Sequence, residues 1–283
     1  MPGIILGTVQ FGLDYGINNH IGKPSEKDVF SILDYAFDKG IRELDTADAY
    51  GNATEIIGKF HAQTGKRFYI NSKFIAGEES VASQLSKSLE KLNIEFIQTY
   101  YFHRFDDLIE QPGILEELSD LKSSKIIHTI GLSVYDNHEL IQAIEEPGID
   151  VIQLPFNLLD NFSQKGDLLK LAREKGKTIH ARSIFLQGLF FMDRLPTKLQ
   201  LLDPYIQKLN GISVKYNMSI EEMAFRYAFE QQEIDAVLLG VDSLDQLRSN
   251  LDILNKGFDH TFIQEINQLK VSESGLLYPK NWK

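Results

Sequence analysis

Ile41-Arg42-Glu43-Leu44-Asp45-Thr46-Ala47-Asp48-Ala49-Tyr50-Gly51 opens as a short apolar run and stops on an acidic residue, Asp45. Tyr50 follows on the stretch beyond, with Gly51 directly behind it, and Glu55-Ile56-Ile57-Gly58 then starts a helical pattern. The run Ile41 to Leu44 reads as a buried strand. A strand that ends in an Asp, with a Tyr on the loop after it, is how a parallel α/β protein arranges a chemical site.

The same alternation extends in both directions. Ile4-Ile5-Leu6-Gly7-Thr8 reads as a first strand and its exit. Ser25 with Asp28 resembles an N-cap, and Val29, Ile32, Leu33, Ala36 and Phe37 recur at helical spacing up to Gly40. Beyond the second strand come a helix to about Gly65 and a third strand from Phe68 to Lys73. Val81, Leu85, Leu89 and Leu92 mark a helix, and Phe96 to Phe102 a fourth strand ending at His103. Further strands are predicted over Ile126 to Ser133, Val151 to Phe156, Thr178 to Arg182 and Ala236 to Gly240, with helical patterns between and after them. Continuous apolar strands with helical crossovers require parallel pairing. Eight such units in 283 residues predict an α/β fold of the (β/α)8 TIM-barrel type, one domain spanning residues 1–283. No Gly-x-Gly-x-x-Gly follows a strand, so a Rossmann fold is unsupported. The tail from about 262 to 283 carries Leu276, Leu277, Tyr278 and Trp282, too apolar to stay in water, and is expected to fold over the barrel.

A net charge of −11 argues against nucleic acid or an anionic membrane as partner. The chain has no cysteine, which excludes disulfides and thiolate chemistry, and its histidines show no metal-like spacing. No signal peptide or membrane span is legible, so a cytoplasmic location is expected, with oligomeric state left open.

Asp45, Tyr50, Lys73 and His103 fall at or just past the ends of the second, third and fourth strands. In a barrel those ends meet on one face. The combination suggests acid–base work with the Tyr50 phenol as proton donor. A phenol near pKa 10 needs help from a cation, which Lys73 supplies, while Asp45 orients the lysine and His103 holds a carbonyl oxygen. Singly, each has an ordinary explanation as a cap, a loop aromatic, a solvated lysine or a structural histidine. Their joint placement on consecutive strand ends is what carries the reading.

The Asp45-Thr46-Ala47-x-x-Tyr50-Gly51 segment resembles the signature of the aldo-keto reductases, and the resemblance covers nearly the whole chain. It implies that the four residues above are catalytic in nicotinamide-dependent carbonyl reduction. It also implies a cofactor site. Ser133 in Gly131-Leu132-Ser133 and Gln153 in Gln153-Leu154-Pro155-Phe156-Asn157 match positions that meet the nicotinamide amide. Arg182, Ser183, Gln187 and Gly188 match the segment around the pyrophosphate, and Gly240, Asp242, Gln246 and Asn250 the adenosine end. Three departures stand out: Val134 replaces a usual Asn, Arg182 a stacking aromatic, and Asp242 a small or basic residue near the 2′-phosphate of NADP. NADPH is expected narrowly ahead of NADH, with Arg248 the nearby cation. Two other readings share these residues: a cofactor-binding regulatory relative with little turnover, and a lyase or isomerase using Lys73 as a Schiff-base amine. The substrate is expected to be a small carbonyl compound, sugar-like in character, with Arg104 and Arg182 available to an anionic group.

Overall fold

The computed structural model describes residues 2–19 and 21–282; Met1, His20 and Lys283, which the expected domain and tail include, lie outside the described residues. Strands β1 (Gly3–Gly7), β2 (Glu43–Asp45), β3 (Tyr69–Phe74), β4 (Ile97–Phe102), β5 (Ile127–Ser133), β6 (Val151–Pro155), β7 (Thr178–Arg182) and β8 (Ala236–Gly240) pair in parallel and in chain order. Strand β8 pairs back on β1, with Gly7 opposite both Asp45 and Gly240, so the sheet closes into the expected (β/α)8 barrel.

Local chemistry sets the surrounding helices. Ser25 caps the helix Glu26–Asp38 by accepting from the Asp28 amide at 3.2 Å. That helix buries Val29, Ile32, Leu33 and Ala36 completely against the barrel. Each such aliphatic contributes about 1.5–3 kcal/mol, and Leu33→Ala would cost about 2–5 kcal/mol once the cavity is included. Ser80, Asp136, Asn161, Ser219 and Ser243 cap later helices in the same way.

Strand β2 starts later than the apolar run suggests. The Ile41 amide still bonds the Ala36 carbonyl at 3.0 Å, so Ile41 closes the preceding helix instead of opening the strand. Two one-turn helices, Val9–Gly12 and Phe105–Glu110, and the 3-10 turns Leu186–Phe191 and Thr197–Leu202 are too short to leave a periodic signal.

Near the end of the chain, Leu277 is fully buried and Trp282 Nε1 donates to the Leu276 carbonyl at 2.8 Å. The Tyr278 ring meets that of Tyr135, on the exit of β5, edge-on at 6.4 Å, and Lys280 lies 4.4 Å over the Tyr135 ring while pairing with Glu139. These contacts bring the tail alongside the C-terminal mouth of the barrel.

Candidate active site

Asp45 is the last residue of β2, and its carbonyl accepts from the Thr8 amide at 3.0 Å and the Thr8 hydroxyl at 2.9 Å. Tyr50 is placed by two glycines. A Cβ on Gly12 would stand 1.7 Å from the Tyr50 carbonyl oxygen, and Gly51, at φ +57°, would meet the Gly12 carbonyl at 2.4 Å. The β1 exit and the Tyr50 loop thus press together more closely than any side chain permits. Lys73 lies on β3, and the His103 amide bonds the Phe74 carbonyl at 3.1 Å just past β4. All four side chains line one cleft of about 610 Å³ at the C-terminal mouth.

The electrostatic centre is an ion pair between Lys73 and Asp45, hydrogen-bonded and closed to water. Lys73 also donates to the Thr46 carbonyl at 3.1 Å, and Gln153 Nε2 donates to the other Asp45 oxygen at 2.8 Å. The Tyr50 ring stands 5.4 Å from Lys73 Nζ and edge-on to His103 at 6.2 Å. Burial lowers the Lys73 pKa against the opposing pull of Asp45.

One expectation is reversed at this point. Tyr50 keeps part of its surface at the cleft, yet burial, with the Asp45 charge adding to it, pushes its hydroxyl well above the ordinary value rather than below. The ammonium expected to depress it is already paired with Asp45. His103 is lowered to about 3, first by burial and then by Lys73, so it is a neutral imidazole at neutral pH.

The other ten predicted residues, Ser133, Gln153, Arg182, Ser183, Gln187, Gly188, Gly240, Asp242, Gln246 and Asn250, line the same cleft. Arg182 donates to the Val134 carbonyl at 3.0 Å and to Ser183 Oγ at 3.3 Å, and its guanidinium stacks 4.3 Å over the Tyr135 ring. The β7 exit turns through Ser183, Leu186, Gln187 and Gly188, all at positive φ. That exit is tied to the first loop, since Gln187 Nε2 donates to Tyr15 Oη at 2.9 Å and the Ile17 amide to the Gln187 carbonyl at 3.1 Å. At β8 the Asp242 amide donates to Gln246 Oε1 at 2.7 Å. Asn157 serves the β6 exit as a turn residue, accepting from the Leu159 and Asp160 amides at 3.0 Å.

Two expected anion holders are turned elsewhere. Arg104 is paired with Asp107, and Arg248 with Asp245 at 3.2 Å, its guanidinium 5.3 Å from the Tyr35 ring. Of the expected pair for an anionic group, only Arg182 lines the cleft.

The chain matches the family described as "Aldo/keto reductase family" over residues 3–271. It belongs to that family. An aldo-keto reductase of Strobilurus tenacellus is 31% identical over 260 residues, 80% of this chain and 76% of the relative. The NADH-specific methylglyoxal reductase of Escherichia coli is 24% identical over 266 residues, 76% and 79% of the two chains. Among solved structures, an aldo-keto reductase from Bacillus halodurans in its holo form shares the fold with a TM-score of 0.77 at 19% identity, covering 99% of this chain and 95% of its own.

In an aldo-keto reductase the cofactor is normally a nicotinamide nucleotide, and the β8 side of this cleft suits one. Gln10 Oε1, Asp242 Oδ1 and Asn250 Oδ1 are buried acceptors with no partner among the described residues. Unpaired buried acceptors are costly, and hydroxyl and amino donors of a nucleotide would satisfy them. Gln10 packs on Gly240, where a Cβ would come within 2.7 Å of its Nε2. Sequence reasoning did not place Gln10 against Gly240 or Tyr135 under Arg182, because both contacts join segments far apart in the chain.

Proposed function

We propose that this aldo-keto reductase reduces a small, polar, hydroxylated carbonyl compound to the alcohol, with Tyr50 giving the proton. The observation that carries the proposal is the meeting of Asp45, Tyr50, Lys73 and His103 in one cleft. A bound nicotinamide nucleotide would supply the hydride. The residues of the chain supply the rest. Tyr50 stays protonated at neutral pH, as a donor must, and the Lys73 ammonium 5.4 Å from its ring is the charge that would steady the tyrosinate left behind. His103 Nδ1 is buried with no partner among the described residues, so the proton of the neutral ring belongs on Nε2, where it can hold the carbonyl oxygen.

NADH is the proposed donor, ahead of NADPH. Asp242 and Glu221 line the cleft with carboxyl groups, both shifted upward by burial, and the lysine and arginine among its described residues, Lys73 and Arg182, are engaged with Asp45 and with Val134, Ser183 and Tyr135. An Asp oxygen without a partner suits a ribose hydroxyl and repels a phosphate. The substrate side brings together Tyr15, Asn18, Asn19, Tyr135 and Arg182, aromatic faces with hydrogen-bonding groups, which favour a polar over a plain aliphatic carbonyl. The name of the methylglyoxal reductase relative points the same way. Oxidation of NADH followed by absorbance, with methylglyoxal, triose and simple aliphatic aldehydes compared, tests the reading. Higher kcat/KM for the polar carbonyls is expected. A preference for aliphatic aldehydes would remove the substrate class, and no turnover of any carbonyl would remove the enzyme reading.

A further inference from the structure

Inside the barrel, beside the residues that line the cleft but not among them, lies a second buried pair for which proton donation by Tyr50 finds no direct use. Tyr101 on β4 is 0% exposed and His180 on β7 is 7% exposed. The Tyr101 hydroxyl stands 2.8 Å from His180 Nδ1, a bond across the barrel interior between strands that are not neighbours in the sheet. Burial lowers His180 to about 4, so its ring is neutral at neutral pH and shares one hydrogen bond with the phenol through Nδ1. Aliphatic residues usually fill a barrel floor, and a phenol and an imidazole there carry a desolvation cost that packing alone does not require.

The pair is built into its surroundings. A Cβ on Gly131 of β5 would lie 2.3 Å from Tyr101 Cδ1, so that strand is cut back to admit the ring. Tyr101 is the register partner of Lys73 and His180 that of Gln153. The Tyr101 ring lies 5.7 Å from Lys73 Nζ, and Gln153, which also faces the Tyr101 hydroxyl, donates to Asp45. The ammonium therefore has the Tyr50 ring on one side and the Tyr101 ring on another.

We propose that Tyr101 and His180 are positioning residues, a hydrogen-bonded floor that keeps water from Lys73 and holds its ammonium toward Asp45 and Tyr50. The inference rests on the reading of Lys73 as the partner of Tyr50 in proton transfer. The titratable and charged groups facing Lys73 are Asp45 from β2, Tyr50 from the loop after it, Tyr101 from β4, His103 just past β4, and His180 and Arg182 from β7. Asp45 favours the charge and Arg182 opposes it, but loss of water is the largest influence on Lys73. Opening the floor relieves that one influence, so the Lys73 pKa should climb toward its ordinary value.

The test is the pH dependence of kcat for methylglyoxal reduction in the wild type, Tyr101→Ala, Tyr101→Phe, His180→Ala and Tyr50→Phe, with NADH affinity measured by fluorescence. The alkaline limb should move up by about one pH unit in Tyr101→Ala, the scale on which environment shifts side-chain values. Tyr101→Phe keeps the ring but loses its bond to His180, so the limb should move in the same direction by less than in Tyr101→Ala, and NADH affinity should not change. If Tyr101→Ala does not fold, His180→Ala, which removes what holds the ring, must move the limb in the same direction. An unmoved limb beside an inactive Tyr50→Phe overturns the floor alone. Persistent turnover in Tyr50→Phe overturns the proton-donor reading, and the floor with it.

Discussion

Lys73 and Asp45, 2% and 3% exposed at the ends of adjacent strands, form an ion pair shut away from water at the bottom of the cleft. Such a pair is weak evidence for stability, because its desolvation offsets its attraction. Its consequence is chemical. Asp45 holds the ammonium in place, with Thr46 and Gln153 taking the remaining polar contacts, and leaves it beside the Tyr50 ring.

Removing one partner should therefore cost more than removing both. Lys73→Met leaves Asp45 buried and unpaired, a loss of about 3–5 kcal/mol, whereas Lys73→Met with Asp45→Leu should recover most of it. Denaturant unfolding of the two variants decides the matter. Equal losses would mean that water reaches the pair.

Arg182→Ala should weaken NADH binding by about 1–2 kcal/mol, the scale for a largely desolvated cation on an aromatic face. Stacked on Tyr135 at 4.3 Å and bonded to the Val134 carbonyl, the guanidinium is fixed before any ligand arrives. Fluorescence titration with NADH checks this. Unchanged affinity would place Arg182 outside the cofactor contacts.

Asp242 should decide between the two nicotinamide cofactors. Like charges at ~4 Å cost about 1–4 kcal/mol across the plausible dielectrics, and Arg248, paired with Asp245, does not relieve them. Asp242→Ser is expected to raise kcat/KM for NADPH and to lower it for NADH, which loses the acceptor for its ribose hydroxyl. Steady-state kinetics showing a wild-type preference for NADPH would reverse the assignment.

His103 and His180 are held near 3 and 4 in the folded protein, below the ordinary value of about 6.5. Between those values the unfolded chain binds protons that the folded chain refuses. The stability associated with the two residues is present above about pH 6.5 and is lost as pH falls toward 4 and then 3. His180→Gln should flatten the fall of the unfolding midpoint between about pH 6.5 and about pH 4. An identical slope in wild type and variant would contradict the burial of a neutral ring.

The barrel was legible because short strand-like runs alternate with helical patterns along the chain, and the four central residues because they sit at or just past the ends of those runs. What stayed hidden depends on contacts between distant segments. The Tyr101–His180 bond spans 79 residues, and neither residue stands out from its own strand. Gln153 reads locally as a strand-end amide, yet only barrel closure brings it to Asp45. The direction of the Tyr50 shift is a balance of burial against charge, and spacing gives the charges without the burial. Arg104 and Arg248 were visible as cations, but each is drawn to an acid three residues away.

The central claim is that Tyr50 gives the proton, and single-turnover reduction of methylglyoxal by NADH-loaded Tyr50→Phe tests it most directly. The ring and its packing remain while the only proposed donor is lost. The rate should fall by at least ~10²-fold, the usual scale of general acid catalysis, with NADH affinity unchanged. Adding Lys73→Met should lower it little further, since both residues act on one proton. A Tyr50→Phe rate close to that of the wild type would contradict the account.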